Sequence, residues 1–435
     1  MKLLARLCLI LGLFSLSLSA QTLRIYHIDV EQGDATLIVT PSGKALLVDS
    51  GNDGHGGRIK TVMDQAGVKQ IDAFVNTHYH KDHYGGIDDL VHLGVPVLKS
   101  YDRGDKNFLP ADKPNEDTFQ DYQRAVGEDA ISLRRGMTIA VDPAMAVTCI
   151  SSGGVVVGEA NPTPGIDEND MSISLFIAFG TFKYFIGGDI EKPTEAKIAA
   201  RDLVQNVDVY HSDHHGSDTS SSRPFMEDLA PHVIIISNGN HGVYKHPRQV
   251  TLDLYASLPG PPTVFQTNKY LKGGAGGNVP DAFIADPEST DSDGTILVTV
   301  DAGAGTYAVS YGSSTSRTFS IKGGSALGAT MVIESLLPDP VGPDEQSEEV
   351  TLKNKATRAI SLSGWTLRDR SGRTWALTGL GTLAPGNSKT IKRNGMPMSL
   401  NNAGDEIELL DAGNSVHDRF AYTSSTEGVV IQTGH

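Results

Sequence analysis

The sequence predicts an α/β sandwich followed by a small all-β domain. Short apolar runs separated by Gly, Pro and Asp clusters fill residues 23–49, and β-type runs return between residues 146 and 186. Helix-like stretches lie among them without strict alternation, which favours two packed sheets flanked by helices over a doubly wound sheet. Beyond residue 330, short β-type segments divided by turn residues are typical of a small β-sandwich.

Residues 1–20 have the features of a cleavable secretory signal. Lys2 and Arg6 precede an apolar stretch over residues 7–16, and mostly small residues follow up to Ala20. This stretch is too short for a comfortable membrane span. We therefore expect a secreted or periplasmic protein, with cleavage after Ala20 or one residue earlier.

The composition excludes two classes of site. The 435 residues include 36 basic and 52 acidic side chains, and removal of Lys2 and Arg6 leaves 34 minus 52, or −18. Such a chain lacks the basic footprint of a duplex-DNA binder. Cys8 lies in the signal, so Cys149 stands alone in the mature chain, which excludes an internal disulfide and a multi-cysteine metal site.

The elements expected inside the sandwich follow from the apolar pattern and its punctuation. The predicted strands cover residues 23–29, 35–40, 45–48, 146–151, 172–179 and 181–186. The predicted helices cover residues 58–65, 87–93, 194–202 and 248–258, and a polar, loop-like region is expected around residues 101–130.

The densest cluster of potential metal ligands follows the β-type run at residues 73–75. His78 and His80 are two positions apart, so in an extended chain both point the same way and can bind one cation. Asp82 and His83 follow where the chain turns at a glycine pair, and they can face a second cation. Mixed nitrogen and oxygen ligands suit zinc, manganese or iron better than magnesium or calcium.

Three later stretches carry further candidates. Asp189 ends a β-type run, and its two carboxylate oxygens can bridge two metals. His214 and His215 follow another such run before a glycine, so one can bind metal while the other bonds a substrate oxygen or moves a proton. His246 lies at a turn before a helix-like stretch, where a purely structural role is an equally good interpretation.

These motifs, taken in order, resemble those of metallo-β-lactamase-fold hydrolases. His78-Tyr-His-Lys-Asp-His83 resembles the signature of that fold. The set that resembles the hydrolase domain of ComEC-type competence channels is Asp29-Val-Glu-Gln-Gly-Asp34, Leu47-Val-Asp-Ser-Gly51, Gly188-Asp189, His214-His-Gly-Ser217 and Tyr244-Lys-His-Pro247. The resemblance covers most of residues 21 to 320 and implies an αββα sandwich with a two-metal hydrolytic site at one edge.

The resemblance also implies a role for each site residue. The implied ligands are His78 and His80 for the first metal, Asp82, His83 and His215 for the second, and Asp189 as the bridge. Asp49 would orient a metal-binding histidine. A cell-wall phosphorylcholine esterase has a similar arrangement, in which the first histidine of the later pair faces the substrate, and His214 would take that place.

The sequence departs from the family pattern in two places. Many members supply a third histidine to the first metal from a loop between the Asp82 and Asp189 motifs, whereas only His92 occurs there beyond the signature itself. We expect His92 to be a structural surface residue and the first metal site to be open. Competence channels often have aspartate where His80 stands, which shifts the expected metal toward zinc.

Residues 323–329 have the composition of a flexible linker between a catalytic domain at 21–322 and a β-sandwich at 330–435. The segments that resemble the lamin tail domain, an immunoglobulin-like module, are Glu349-Val-Thr-Leu-Lys-Asn354, Leu362-Ser-Gly-Trp365, Leu383-Ala-Pro-Gly386 and Asp405-Glu-Ile-Glu-Leu409. We expect Trp365 in the core of this domain. Its predicted role is attachment or spacing, with a cell-envelope or extracellular component as partner.

We therefore expect a secreted hydrolase with two divalent cations, Zn²⁺ or else Mn²⁺. Its predicted substrate is a phosphodiester. The resemblance to the ComEC-type hydrolase domain implies DNA, and the acidic chain favours single strands or oligonucleotides over a duplex. The predicted catalytic side chains are His214, Asp82 and His246. Open alternatives are cell-wall teichoic acid, phosphorylcholine or lipid head groups as substrate, β-lactam hydrolysis, and a non-catalytic scaffold.

Overall fold

The computed structural model describes most of the chain outside its first 21 residues. The described ranges are residues 22–106, 108–109, 113–127, 130–160, 166–289, 294–312, 315–322, 331–355, 359–411 and 416–434. The expected signal segment and the expected linker at 323–329 lie outside them. None of the helices formed by the described residues has the length and apolar character that a membrane crossing requires.

Two large mixed sheets are formed by the described residues before position 323. The first contains, in spatial order, β17 (Thr315–Ser320), β16 (Thr306–Tyr311), β15 (Ile296–Asp301), β1 (Thr22–His27), β2 (Thr36–Val39), β3 (Ala45–Val48), β4 (Ala73–Val75), β5 (Ser100–Asp102) and β6 (Ile131–Ser132). The second contains β14 (Ile284–Asp286), β13 (Thr263–Asn268), β12 (Val233–Ile236), β11 (Val209–His211), β10 (Phe182–Ile186), β9 (Ser174–Phe179), β7 (Met145–Ser152) and β8 (Val155–Val156).

Apolar side chains of the two sheets meet in one core. Along β15, Ile296, Val298 and Val300 are buried and alternate with half-buried residues, so one face of the strand turns inward. Leu175 and Ile177 of β9 belong to the same core from the opposite sheet. This face-to-face contact makes the domain a sandwich.

Helices cover the outer face of each sheet. Those beside the first sheet are α1 (Gly56–Ala66), α2 (Lys81–Tyr84), α3 (Ile87–His92) and α4 (Glu116–Val126); those beside the second are α5 (Lys192–Ala199), α6 (Arg223–Leu229) and α7 (Gln249–Ala256). Met63 of α1 packs in a cluster with Leu47 of β3, and Phe225 of α6 packs in another with Ile234 of β12. The predicted αββα order is confirmed.

Helix α4 lies inside residues 101–130, where the sequence pattern predicts a loop, and for this segment that prediction was wrong. The side chain of Asn115 caps the helix, because its oxygen accepts hydrogen bonds from backbone amides two and three residues further on. Phe119 and Tyr122 are its buried side chains, and the partly buried Ala125 and Val126 pack against the same cluster. Few apolar residues on a mostly polar helix give too weak a periodicity to be recognised.

The C-terminal domain is built mainly of β-strands in the described range 331–434. Its sheets are β24 (Ser388–Lys392), β19 (Glu349–Asn354), β18 (Met331–Leu337) and β27 (Ile431–Gln432); β20 (Ile360–Ser361) and β23 (Thr382–Leu383); and β22 (Thr374–Ala376), β21 (Thr366–Asp369), β25 (Asp405–Leu410) and β26 (Val416–Tyr422). A short helix, α8 (Asp344–Ser347), precedes β19. Trp365 and Trp375 lie in the core, as expected for Trp365, and Trp375 Nε1 donates a hydrogen bond to Met398 O at 2.8 Å.

Replacing Phe119 by alanine tests the packing of α4. The Phe119 ring lies 5.1 Å from that of Tyr79 and 5.7 Å from that of Tyr84, centroid to centroid. We expect Phe119→Ala to lower the free energy of unfolding by about 3–5 kcal/mol, measured by urea denaturation. Gln120→Ala, exposed on the same helix, is the control and should change it by less than about 0.5 kcal/mol. Equal losses in the two variants would contradict this packing.

Candidate metal centre

Four candidate site residues follow the carboxyl ends of strands. β3 and β4 run parallel in the first sheet, and β10 and β11 run parallel in the second. Parallel strands present their carboxyl ends at one edge of a sheet, so the side chains that follow them converge. Asp49 follows β3 and His78 follows β4, while Asp189 and His215 follow β10 and β11.

Asp189 belongs to two groups of closely spaced donor atoms. The groups, each with ligand atoms within 4.8 Å of one another, are His78, His80 and Asp189, and Asp34, His83, Asp189 and His215. Asp189 Oδ1 lies 3.4 Å from His83 Nε2, and Asp189 Oδ2 lies 3.9 Å from His78 Nε2. One carboxylate therefore faces both sets of imidazoles, as a bridging ligand must.

Several of these donor atoms fit bound cations. His83 Nε2, His215 Nε2 and Asp189 Oδ1 are buried and have no hydrogen-bond partner within the described ranges. Buried polar atoms nearly always have a partner, so three orphaned atoms at one point indicate a missing ligand. Imidazole nitrogen and carboxylate oxygen are donors that zinc and manganese accept. The residues present therefore fit a pair of divalent cations.

The electrostatics of the site favour positive charge. Burial alone would raise the pKa of Asp189, but the charges of His83, His215 and His214 outweigh burial and hold that pKa well below its usual range. Burial would lower the pKa of His215, but the neighbouring carboxylates, led by Asp189, raise it to about 9. Asp189 therefore stays ionised and draws positive charge to the site, which favours the binding of cations.

Asp49 contacts Thr77, which precedes the His78–His83 motif, and His83, which ends it. Its Oδ2 accepts hydrogen bonds from His83 Nδ1 and from Thr77 Oγ1, both at 2.8 Å, and its Oδ1 accepts one from Thr77 N at 2.7 Å. Thr77 Oγ1 lies 3.1 Å from His78 Nδ1. The bond to Nδ1 leaves His83 Nε2 facing Asp189, which is the orienting contact that the sequence predicts for Asp49.

The loop that carries His214 and His215 has an unusual backbone. Both residues have positive φ angles, 51° and 54°, and Gly216 follows at 77°. A left-handed conformation costs an L-residue roughly 1–2 kcal/mol, and such strain persists mainly at functional sites. The turn points the two imidazoles in different directions. His215 is 2 % exposed and faces the carboxylates, whereas His214 is 17 % exposed.

His214 lies between the metal groups and a second carboxylate. Its Nε2 is 3.7 Å from Asp189 Oδ2, while its Nδ1 is 3.0 Å from Thr219 Oγ1 and 3.4 Å from Glu191 Oε1. Burial would raise the pKa of Glu191, but the hydrogen bond with His214 outweighs it and lowers that pKa. Glu191 and Thr219 therefore fix the orientation of the His214 ring. The sequence pattern gives Glu191 no role, although it stands two positions after Asp189.

The structure also brings His246 and Asp82 to the site. The His246 ring lies 5.3 Å from that of His214 and 6.1 Å from that of His215, centroid to centroid. Burial, followed by the positive charges of those two histidines, lowers the pKa of His246 to about 3, so its imidazole is neutral. Asp82 Oδ2 lies 3.5 Å from His215 Nε2. His246 and Asp82 therefore border the site, although Asp82 lies outside both donor groups, and Asp34 is the carboxylate grouped with His83, Asp189 and His215.

Asp34 is a site residue to which the sequence pattern alone assigns no role. It lies between β1 and β2, and its Oδ1 is 3.2 Å from His211 Nε2 and 3.8 Å from His215 Nδ1. His211 Nε2 is also 2.8 Å from Ser237 Oγ, so two polar groups fix its ring. The available signals were a Gln-Gly-Asp turn after a strand and the resemblance of the Asp29–Asp34 segment to the ComEC-type hydrolase domain, neither of which assigned Asp34 a role. His92, in contrast, is 80 % exposed on α3, as expected for a surface residue.

Family models match both domains. Residues 28–176 match the metallo-beta-lactamase superfamily, and residues 325–424 match the lamin tail domain. The first range includes Asp34, Asp49 and the His78–His83 motif, while Asp189 and the later histidines follow it in sequence. The chain thus carries a hydrolase domain of the metallo-β-lactamase fold and a lamin tail domain, and both predicted resemblances are confirmed.

Curated relatives include a ComE operon protein and a recombination protein. ComE operon protein 3 of Bacillus subtilis is 24 % identical over 249 residues, 52 % of this chain and 30 % of the relative. Recombination protein 2 of Haemophilus influenzae is 28 % identical over 255 residues, 57 % of this chain and 28 % of the relative. The chain thus spans less than a third of these relatives. Among solved structures, the metallo-beta-lactamase fold protein YhfI of Bacillus subtilis matches with a TM-score of 0.36 and 12 % identity, over 56 % of this chain and 96 % of YhfI.

Replacing Asp49 by asparagine tests its orienting contact. An amide has one acceptor oxygen where the carboxylate has two, so its NH₂ group must face a donor, either Thr77 N or the His83 ring. His83 then loses its fixed orientation. We expect Asp49→Asn to weaken zinc binding about 10- to 100-fold, measured by competition with a chromogenic chelator.

The matched control is Asp72→Asn. Asp72 is 11 % exposed and accepts a hydrogen bond from Ala45 N at 2.9 Å, but it precedes β4, at the strand end opposite His78. Its replacement should leave zinc affinity unchanged. Equal losses in the two variants would show that the effect of Asp49→Asn is general destabilisation.

Proposed function

We propose that this chain, which joins a metallo-β-lactamase-fold hydrolase domain to a lamin tail domain, cleaves phosphodiester bonds of DNA or oligonucleotides outside the cytoplasm. The observation that carries the proposal is the single carboxylate, Asp189, shared by two groups of imidazole and carboxylate donors within 4.8 Å. Two adjacent cations are the usual means of hydrolysing a charged phosphodiester, because they neutralise the substrate.

The similarity to competence and recombination proteins supports nucleic acid as the substrate class. The net charge of −16 supports single strands or short oligonucleotides over duplexes, since a duplex binder normally needs a broad basic surface. Export is proposed from the signal-like residues 1–20. The C-terminal domain is proposed to attach the enzyme to an envelope or extracellular component.

The chain's own residues divide the work of hydrolysis. In the proposed arrangement, two bound divalent cations, Zn²⁺ or Mn²⁺, would acidify a nucleophilic water and neutralise phosphate charge. The cations would be held by His78, His80, Asp82, His83, His215 and Asp189, with Asp34 as an added donor. Asp49 keeps the His83 ring oriented.

His214 and His246 suit the remaining tasks. His214 Nε2 lies beside the shared carboxylate, and Glu191 and Thr219 hold its Nδ1, so a proton on His214 Nε2 can be given to the leaving alkoxide oxygen. The neutral imidazole of His246 can donate an N–H hydrogen bond to a non-bridging phosphate oxygen. Both residues act on the substrate side of the centre.

A substrate panel tests the proposed reaction. The full chain with Zn²⁺ or Mn²⁺ is offered bis-p-nitrophenyl phosphate, single-stranded DNA, glycerophosphocholine, teichoic acid and a chromogenic cephalosporin. We expect turnover of bis-p-nitrophenyl phosphate and of DNA, lost together with bound metal in Asp189→Ala. Cephalosporin turnover with inert phosphodiesters would overturn the proposal, and turnover of the choline ester or teichoic acid but not of DNA would redirect it to the cell envelope.

The role of His214 is tested by comparing leaving groups. A DNA alkoxide needs a proton as it leaves, whereas p-nitrophenolate does not. His214→Ala should keep its metal and lower kcat/KM on DNA by about 10²–10⁴-fold, with a much smaller loss on bis-p-nitrophenyl phosphate. Equal losses on both substrates would contradict proton donation, and metal loss would mean that His214 is a ligand.

A further inference from the structure

Two loops border the metal centre, residues 240–245 and the glycine-rich residues 271–276, and we name them the rim loops. Leu271 N donates a hydrogen bond to Asn240 Oδ1 at 2.8 Å, which joins the loops directly. A second hydrogen bond joins the chain just after the first loop to the second loop, because Gln249 N donates to the carbonyl oxygen of residue 275 at 3.0 Å. The two loops therefore form one connected surface.

The first rim loop reaches the metal centre through Tyr244. Its ring centroid lies 6.2 Å from that of His246. Burial and, after it, the negative charge of Asp82 raise the pKa of Tyr244. The Tyr244 hydroxyl therefore interacts electrostatically with a carboxylate of the site. A ligand bound on this loop would therefore extend to the candidate metal ligands.

The outer part of this surface exposes aromatic and apolar groups. Tyr244 is 51 % exposed, and its ring lies nearly parallel to the exposed His241 ring, with centroids 4.7 Å apart and planes at 27°. Val243 is 76 % exposed and Leu271 is 52 % exposed. Exposed apolar surface concentrated beside an active site is typical of a binding surface, and a free aromatic face can stack a base.

The rim loops also carry two lysines without an ion-pair partner in the described part of the chain, Lys245 and Lys272. Both lysine side chains run along the loop backbones. A Cβ built on Gly274 would lie 3.7 Å from Lys245 Nζ, and a Cβ built on Gly242 would lie 3.7 Å from Lys272 Cγ. Nearby Lys269, in contrast, pairs with Asp281 at 2.8 Å. Two uncompensated positive charges stand out on a chain of net charge −16.

We infer that the rim loops bind single-stranded nucleic acid, with one base stacked on the Tyr244–His241 pair and neighbouring phosphates against Lys245 and Lys272. This inference rests on the proposed function and names the part of the surface that selects its substrate. Two lysines are too few for a duplex, whose base faces are also hidden. A choline head group is disfavoured, because aromatic rings bind quaternary ammonium ions best where no other cation competes.

The binding test uses the metal-loaded full chain and a fluorescent phosphorothioate dT12, which resists cleavage. Tyr244→Ala should raise the Kd about 5- to 150-fold, the range expected for losing one stacked base. Tyr244→Phe keeps the ring and should restore binding. Lys245→Ala with Lys272→Ala should reduce the slope of log Kd against log salt by about 1.4, which corresponds to two single-strand phosphate contacts.

The control for charge is Lys69→Ala with Lys99→Ala. Both lysines are exposed and precede β4 and β5, at the sheet edge opposite the metal centre. This double variant should bind dT12 and cleave DNA like the unchanged chain. Circular dichroism and thermal melting confirm that each variant is folded.

The outcomes separate the inference from the proposed function. An unchanged Kd in Tyr244→Ala and an unchanged salt slope in the rim-loop lysine variant would overturn the inference, even if DNA is cleaved. Binding of dT12 that these variants weaken, without cleavage of any phosphodiester, would support the inference and refute the proposed function. Binding of phosphatidylcholine vesicles that Tyr244→Ala abolishes, without dT12 binding, would also overturn the inference.

Discussion

The site depends on one buried carboxylate, Asp189, placed between imidazoles from both sheets. Asp189 and His215 come from the second sheet, whereas His78 and His83 come from the first. A buried charge is costly unless it is paired, and here the pairing partners are themselves the candidate metal ligands. The contacts that would hold the cations therefore also join the two sheets at this edge, so metal binding and the closure of the sandwich are physically coupled.

The loops that carry the donor groups can approach each other this closely because glycine occupies the points of closest approach. A Cβ on Gly86 would lie 2.2 Å from Ser50 O, and one on Gly33 would lie 2.6 Å from Asp82 O. Gly188 has a positive φ of 60°, and a Cβ built on it would lie 2.8 Å from the Thr77 side chain. Any side chain at these points would separate the elements that carry the donor groups, so these glycines are as much a part of the site as its ligands.

The sequence predicts those parts of the site that are local in the chain. His78, His80, Asp82 and His83 fall within six positions, so their spacing alone indicates a metal site. The roles of Asp34 and Glu191 were not predicted because each acts through residues that are distant in sequence. Asp34 lies near His211 and His215 only because β1 and β11 belong to facing sheets. The pairing of β1 with β15 joins residues about 270 positions apart, and no local pattern specifies it. Helix α4 was missed because only two of its side chains are buried.

The lamin tail domain contacts the catalytic domain away from the metal centre. Arg419 of β26 pairs with Glu408 and lies 3.0 Å, through Nη1, from His232 Nε2. Burial and the nearby cations Lys322 and Arg419 lower the pKa of His232 well below its usual range, so its neutral ring can accept this hydrogen bond. His232 precedes β12, at the amino end of the parallel strands, whereas the candidate ligands follow the carboxyl ends.

A cleft of about 980 Å³ lies between the two domains at that end, lined by charged side chains of both. Because this contact occupies the amino ends of the strands, it leaves the carboxyl ends uncovered. The rim loops and the half-buried His214 therefore stay open to solvent. That arrangement suits the proposed nuclease, since a bound single strand would reach the metal centre without meeting the attached domain.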